Sequence, residues 1–291
     1  MRALLVHNPT SGAGRPTGEE LLEALDAAGF SASYFSTKNN HDLAEALSQY
    51  ADIVIAAGGD GTVGKIARTL EDRKTLVAII PLGTANNIAR CLGIDGKAEA
   101  LIKALRGAPV ARLDIGVAVG PWGKRHFVES VGWGALAKAV DRDDPKQGKH
   151  ARIERGRRAF AKAIATAEPK RFGILADGQE IEEDFVFVEA VNIAVTGPRI
   201  LIDPTAKPDD QLLDLVYLTA KGRQVMLHWL ENGAEGAPPL NSRKSKKVTL
   251  TWEEGPLRID DKVLSEPELQ SNVIIEIEPN GLRVCVPETQ D

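Results

Sequence analysis

The amino-acid order predicts a two-domain protein. An α/β N-terminal domain on a parallel sheet takes residues 1–110, and a mainly antiparallel, β-sandwich-like domain takes residues 111–291. Three observations carry that expectation. Apolar strand runs alternate with amphipathic helical stretches up to about residue 110. Strand runs then dominate, with few helices between them. The length, 291 residues, suits two domains at roughly 100–200 residues each.

In chain order, Arg2–His7 is a short apolar run that ends in the turn Asn8-Pro9-Thr10-Ser11-Gly12. Leu21, Leu22 and Leu25 are spaced as a helix face, which stops at Gly29. Ser31–Ser36 follows as a strand, and Leu43, Ala46 and Leu47 mark a second helix. Asp52–Ala57 reads as a buried parallel strand that enters Gly58-Gly59-Asp60-Gly61-Thr62. A helix carrying Val63, Ile66, Ala67 and Leu70 leaves that loop. Leu76–Ile80 is another buried strand, followed by Pro81-Leu82-Gly83-Thr84, a helix through Leu92, and a last helix over 97–106.

Beyond residue 110 the strand runs are 111–119, 126–131, 172–176, 185–194, 212–218, 247–252, 257–260, 273–277 and 282–286. Asp177-Gly178 between two of them signals a hairpin. Helical patterns interrupt at 152–167 and 222–231, and the Gly-, Pro-, Ser- and Lys-rich stretch 231–247 reads as an exposed loop. The whole second half, including 282–286, is assigned to the second domain.

Composition narrows the function classes. Thirty-six Lys and Arg against 41 Asp and Glu give a net charge of −5, which argues against a generally basic nucleic-acid binder. Cys91 and Cys285 stand far apart without a CxxC partner, so metal-finger and redox readings fail, and two lone thiols suit a reducing cytosol. No apolar run approaches the ~18–20 residues of a membrane span. The expectation is a cytoplasmic protein that meets a membrane only at its surface.

Gly58-Gly59-Asp60-Gly61-Thr62 is the strongest chemical signal. A strand leads in and a helix leads out, so backbone N–H groups and a helix N-terminus converge, which suits a phosphate. Asp60 would repel that ligand unless a divalent cation lay between carboxylate and phosphates. The plainer reading makes Asp60 a cap in a tight turn. Gly59 to Lys65 matches seven positions of a GxxxxGK loop, but Ile66 stands where a Ser or Thr must ligate magnesium. Lys65 remains within reach of a phosphate, or is a solvated helix-face lysine. Gly12 to Gly18 is one residue too long for a dinucleotide fingerprint, and Pro16 interrupts it. The loops Asn8–Gly12 and Pro81–Asn87 join the glycine loop at carboxyl ends of strands, the second with Thr84 at a helix cap followed by the amides of Asn86 and Asn87. Together the three loops suggest one polyphosphate site.

The order NPTSG, GGDGT, PLGTANNIAR, TGPRILIDPTAKPDDQLLDLV and LRIDDK resembles the diacylglycerol kinase catalytic-domain family of bacterial soluble lipid kinases, relatives of sphingosine and ceramide kinases. The resemblance covers nearly the whole chain. It implies a first domain similar to 6-phosphofructokinases and NAD kinases, a sandwich-like second domain, an active site between them, and the use of ATP and Mg²⁺ on a lipid alcohol. Position by position it implies that Asn8, Pro9, Thr10, Ser11, Gly12, Thr37, Gly59 to Thr62 and Thr84 line the ATP site, with Asp60 holding the catalytic magnesium. It implies a structural magnesium on Asp210 and the carbonyls of Lys207 and Leu212; the residues alone read as an acidic turn before a strand. It places Asp260 as general base, where the family has DGE. Two positions depart from the family pattern: Lys65 and Lys262 stand where glutamate is common. They admit a catalytically impaired nucleotide- or lipid-binding homologue, or a kinase of another lipid such as a sphingoid base.

Residues 142–171 hold ten Lys or Arg (142, 146, 149, 152, 155, 157, 158, 162, 170 and 171) and four acids (143, 144, 154 and 168), a net +6 against −11 for the rest. Arg155, Arg158 and Lys162 form one helical stripe, suited to transient contact with an anionic membrane surface or to plain solvation. No aromatic residues interleave with it as nucleic-acid binding would favour. His7, His41, His126, His150 and His228 show no ligand spacing, and Trp122, Trp133, Trp229 and Trp252 read as packing residues. A homodimer is left open.

Overall fold

The computed structural model describes residues 1–38, 42–139 and 148–288. His41, Arg142, Asp143, Asp144 and Lys146 of the preceding readings lie outside them. The chain divides into two units, Met1–Leu113 with the C-terminal stretch from Asn280, and Asp114–Pro279.

The first unit runs β1 (Arg2–His7), α1 (Gly18–Ala27), β2 (Ser31–Ser36), α2 (Leu43–Ser48), β3 (Ile53–Gly58), α3 (Asp60–Thr69), β4 (Leu76–Pro81), α4 (Asn87–Cys91), α5 (Ala98–Ala104) and β5 (Val110–Leu113). Its sheet has the order β2-β1-β3-β4, then the strand Leu282–Cys285, then β5. All neighbours are parallel except β5. Every residue of β3 is buried, because a central parallel strand is covered on both faces. Helix α1 starts in a capping box: Thr17 Oγ1 accepts the Glu20 N–H, and the Glu20 carboxylate accepts the Thr17 N–H. Parallel pairing puts the carboxyl ends of β1, β3 and β4 on one edge, where open α/β sheets bind ligands.

The second unit holds two six-stranded antiparallel sheets. One follows the order Gln179–Glu180, Ile174–Ala176, Lys247–Trp252, Ser271–Ile277, Gly116–Gly120, Gly123–Phe127. The other follows Asn241–Ser245, Leu213–Thr219, Phe185–Val191, Ser130–Gly134, Leu257–Ile259, Lys262–Leu264. Phe127, Ile174, Leu250, Trp252 and Val273 of the first sheet share a core with Val131, Trp133, Val188, Leu215 and Leu257 of the second, which makes a sandwich. Helices Lys149–Thr166 and Arg223–Glu231 cover the other face of the second sheet through Phe160, Ile164 and Met226. Strand Phe185–Val191 is therefore buried throughout. The hairpin at Asp177-Gly178 forms as its sequence predicts, both residues having positive φ (50° and 80°).

Four assignments need correction, the first being the run 126–131, which divides between Gly123–Phe127 and Ser130–Gly134 in different sheets. The strand Leu282–Cys285 belongs to the first unit, where it pairs with β4 and β5. The run 111–119 is two strands in two sheets. Asp114 breaks it, donating its N–H to the Pro208 carbonyl while its carboxylate accepts the Gln211 N–H. The supposed loop 231–247 contains the edge strand Asn241–Ser245; its polar sequence fits an edge, where charged side chains guard an exposed ladder.

His7 ends β1, is buried, and sets its Nδ1 3.1 Å from the Tyr34 hydroxyl. Burial holds the imidazole below the ordinary histidine value. The stabilisation from a neutral ring is therefore complete above about pH 6.5 and is lost as pH falls through the folded-state value. Urea midpoints at about pH 7.5 and pH 5 should fall less in His7→Gln than in the native chain. Equal falls in the two proteins would refute the assignment.

Candidate functional site

The three loops meet at the carboxyl edge of the first sheet because glycines let their backbones touch. The Gly58 carbonyl accepts the N–H groups of Leu82 (2.8 Å) and Gly83 (3.3 Å). A Cβ on Gly83 would lie 2.5 Å from Gly59 Cα, and one on Gly59 would lie 3.0 Å from Gly83 Cα. Gly12, at φ +63°, approaches the same loop, where a Cβ would stand 3.5 Å from the Leu82 carbonyl oxygen. Asn8 N–H donates to the Ala57 carbonyl, and the Asn8 side chain accepts the N–H and hydroxyl of Thr10 (3.2 and 2.7 Å). Pro9 and Ser11 complete this half-buried turn. Thr37 joins it through its N–H to the His7 carbonyl, 2.9 Å.

Asp60 opens α3, where its carboxylate Oδ1 accepts the Ile88 N–H at 3.0 Å. Burial raises its proton affinity, and backbone N–H groups of residues 86–88 and its own pull it back only in part. It therefore caps α4 from the neighbouring loop, besides the hydrogen bond from its own N–H that the tight-turn reading expects. Asn86, not Thr84, is the cap residue of α4, with φ +53°. Its Nδ2 donates to the Pro81 and Gly83 carbonyls (3.2 and 3.1 Å). Two carbonyl acceptors fix the amide's orientation, so Oδ1 points the other way, buried and without a hydrogen-bond partner. Thr62 is buried in the first turn of α3, with its N–H on the Gly59 carbonyl. Gly61 is exposed there, and Lys65 is exposed on the helix surface.

In the second unit a polar cluster crosses the sheet above Gly132. Glu189 and Arg258 are the ladder partners of Gly132 on either side. A Cβ on Gly132 would fall 2.0 Å from the Glu189 carboxyl carbon. In that gap Arg258 Nη2 reaches Glu189 Oε2 at 3.0 Å, Ser130 Oγ at 2.9 Å and Thr196 Oγ1 at 3.2 Å, and Nη1 donates to the Asp260 carbonyl. Arg258 is 3% exposed and Glu189 0%. Burial pushes the Glu189 carboxyl up, with Arg258 only partly opposing it. Burial opposes the charge of Arg258, but Glu189 and Glu129 hold the guanidinium above its ordinary value. Asp260 lies past the end of its strand in a two-residue turn at φ +50°, so strand alternation does not set its direction. Its Oδ1 accepts the N–H groups of Glu129 (2.8 Å), Val128 (3.1 Å) and Ser130 (3.4 Å), and Oδ2 accepts that of Val128 at 3.2 Å. Lys262 is exposed on the next strand.

The acidic turn carries its own cation. Asp210 Oδ1 accepts the Leu212 N–H (3.1 Å), and Oδ2 accepts from the Lys244 ammonium (2.8 Å), which also lies 3.2 Å from the Asp214 carboxylate. Partial burial disfavours the charge on Lys244, but Asp210 and Asp214 outweigh it and hold its pKa above the ordinary lysine value. The Lys244 ammonium sits on the carboxylate assigned to a structural metal, and its like charge does not fit a divalent ion on Asp210 with the Lys207 and Leu212 carbonyls. Among the described residues no group of three or more His, Cys, Asp or Glu is placed to hold a metal.

The sequence reading missed Arg258 and Glu189, which look like ordinary strand residues, and Lys244, which it placed in a loop. The Gly132 pattern between two charged neighbours is visible only once the strands are paired. On the helix Lys149–Thr166, Arg158 and Lys162 are exposed, while Arg157 is tied to the Pro198 and Arg199 carbonyls (3.4 and 3.0 Å). No helix among the described residues is long and apolar enough to cross a membrane.

Gly83→Ala should cost about 1–3 kcal/mol of stability, as overpacking against unyielding backbone does. Denaturant unfolding of the variant measures it, and an unchanged midpoint would show that the two loops can part.

Comparison with known proteins places this geometry. Residues 2–118 match the diacylglycerol kinase catalytic domain, and residues 130–286 match the YegS C-terminal NAD kinase beta sandwich-like domain. The diacylglycerol kinase of Bacillus subtilis is 30% identical over 235 residues, which cover 75% of this chain and 73% of that protein. A diacylglycerol kinase structure from Bacillus anthracis superposes with a TM-score of 0.71 at 23% identity, over 99% of this chain and 97% of that one. An NAD kinase from Archaeoglobus fulgidus in complex with ATP does so with a TM-score of 0.58 at 16% identity, over 99% and 94%. These two structures speak for the fold, a parallel α/β unit with an antiparallel sandwich. Matched in both halves, and 30% identical to a curated member over three quarters of its length, the chain belongs to the diacylglycerol kinase family of lipid kinases.

Proposed function

We propose that this chain transfers the terminal phosphoryl group of ATP to a hydroxyl of diacylglycerol, or of a closely related lipid alcohol, at an anionic membrane surface. One observation carries the reading: three loops meet at the carboxyl edge of a parallel sheet around the Gly59–Gly83 contact, beside the N-terminus of α3. Phosphoryl transfer asks a protein mainly to position the phosphates and to stabilise their charge. Backbone N–H groups and the helix dipole supply that at fixed positions, without reorganisation during the reaction.

Asp60 at the same point favours a cation between itself and the phosphates. The residues fit magnesium as it is usually held in kinases, by one carboxylate with phosphate oxygens and retained waters. Asp60 and the unpartnered Oδ1 of Asn86 would hold it. Bound there, magnesium would neutralise the charge that develops on the phosphate oxygens. Asp260 takes the proton of the lipid hydroxyl on its carboxylate, whose direction is set by the N–H groups of the 128–130 turn and by Arg258 on the Asp260 carbonyl. The exposed Arg158 and Lys162 draw the protein to anionic headgroups.

Labelled-ATP transfer to vesicles bearing diacylglycerol, monoacylglycerol or a sphingoid base, with magnesium present, tests the reading. Transfer to diacylglycerol is the expected result. Asp60→Asn and Asp260→Asn each keep an acceptor oxygen for the backbone, so both variants should stay folded. Asp260→Asn should lose about 10²–10⁴ in kcat, and Asp60→Asn at least about 10². Nucleotide binding without transfer to any lipid would favour the impaired homologue instead.

Reversing Arg158 and Lys162 to Glu should weaken sedimentation with anionic vesicles by tenfold or more, at about 1 kcal/mol per basic residue. Binding to neutral vesicles should not change. If anionic-vesicle binding is unaffected, the helix is only a solvated face.

A further inference from the structure

The family resemblance implies a divalent cation at the acidic turn, and this chain fills the place with a side chain. A metal there needs an open carboxylate on Asp210. One of its oxygens accepts the Leu212 N–H, and the other holds the Lys244 ammonium. The lysine is not a chance visitor. It is the direct ladder partner of Asp214, on the strand Asn241–Ser245 that pairs with Leu213–Thr219. Strand register therefore fixes its Cα beside that of Asp214, and its ammonium reaches Asp210 as well. Asp214 is 1% exposed, and a buried carboxylate without a cation would be costly. The neighbouring Asp203 is already satisfied, its Oδ1 by the Thr205 N–H and hydroxyl (2.8 and 2.7 Å) and its Oδ2 by the Ser242 hydroxyl. An ammonium brings three donors and one charge to this cluster. A divalent ion beside it would meet a like charge at contact distance.

We propose that Lys244 replaces the structural divalent cation of this turn, so that the fold of the second unit holds without metal. The turn keeps the carboxylates of a hard-cation site, and removal of the lysine should open it to Mg²⁺ or Ca²⁺ through Asp210 and Asp214.

Thermal unfolding of the full chain, without nucleotide or lipid, reads this independently of the kinase reading. The native chain, Asp210→Asn, Lys244→Met and Lys244→Gln are each melted in EDTA and in millimolar MgCl₂ or CaCl₂. The native chain and Asp210→Asn should respond to metal equally, because any shared response comes from elsewhere. Lys244→Met should melt lower in EDTA and gain several degrees more than the native chain when metal is added. Lys244→Gln serves the same comparison if the Met variant does not fold. A native response larger than that of Asp210→Asn would overturn the proposal. So would lysine variants that gain no more from metal than the native chain does.

Discussion

The closeness of Gly59 and Gly83 is the constraint on which the loop geometry of the first unit rests. A side chain at Gly83 would force the β3 and β4 loops to shift apart, and one at Gly59 would press them more lightly. The Gly58 carbonyl could not then accept from both Leu82 and Gly83. Asp60 would lose Ile88, and the Asn86 amide would lose one of its two carbonyls. The loops thus form a single object whose dipoles are set before any ligand arrives. In electrostatic catalysis that is worth more than added donors that must reorient.

In the second unit the absence of a side chain does similar service at a buried charge. Gly132 leaves a channel across the central strand, through which Arg258 and Glu189 meet. A buried ion pair is weak evidence for stability, since apolar residues of similar volume often do as well. Its visible use here is directional. The guanidinium that holds Glu189 also holds the carbonyl of Asp260 and the hydroxyls of Ser130 and Thr196. The turn at Asp260 and the turn at 128–130 are thereby tied to the middle of the sheet.

Much of the fold was legible in the sequence, because its signals are local. The run Asp52–Ala57 into Gly58-Gly59-Asp60-Gly61-Thr62 announces strand, loop and helix without outside information, and Asp177-Gly178 announces its own hairpin. What escaped depends on partners remote in sequence. Leu282–Cys285 is a short apolar strand like any other, and nothing in its composition tells which sheet receives it. Asn241–Ser245 is polar because it lies at an edge, so its strand character and Lys244 were hidden together. The residues around Asp260 name a carboxylate but not its surroundings. Three backbone N–H groups from the 128–130 turn cannot be read from the residues beside it.

The return of Leu282–Cys285 to the first sheet also bears on the order in which the molecule can be made. Synthesis delivers β4 early, yet the strand that covers its outer side comes only after all of Asp114–Pro279. On the ribosome the sandwich has its complete sequence while the first unit still shows a bare parallel edge. Such an edge invites pairing with foreign strands. Completion of the first unit thus waits for a strand translated after the whole of the sandwich. A chain that stopped just short of it would carry an intact sandwich beside an unfinished sheet.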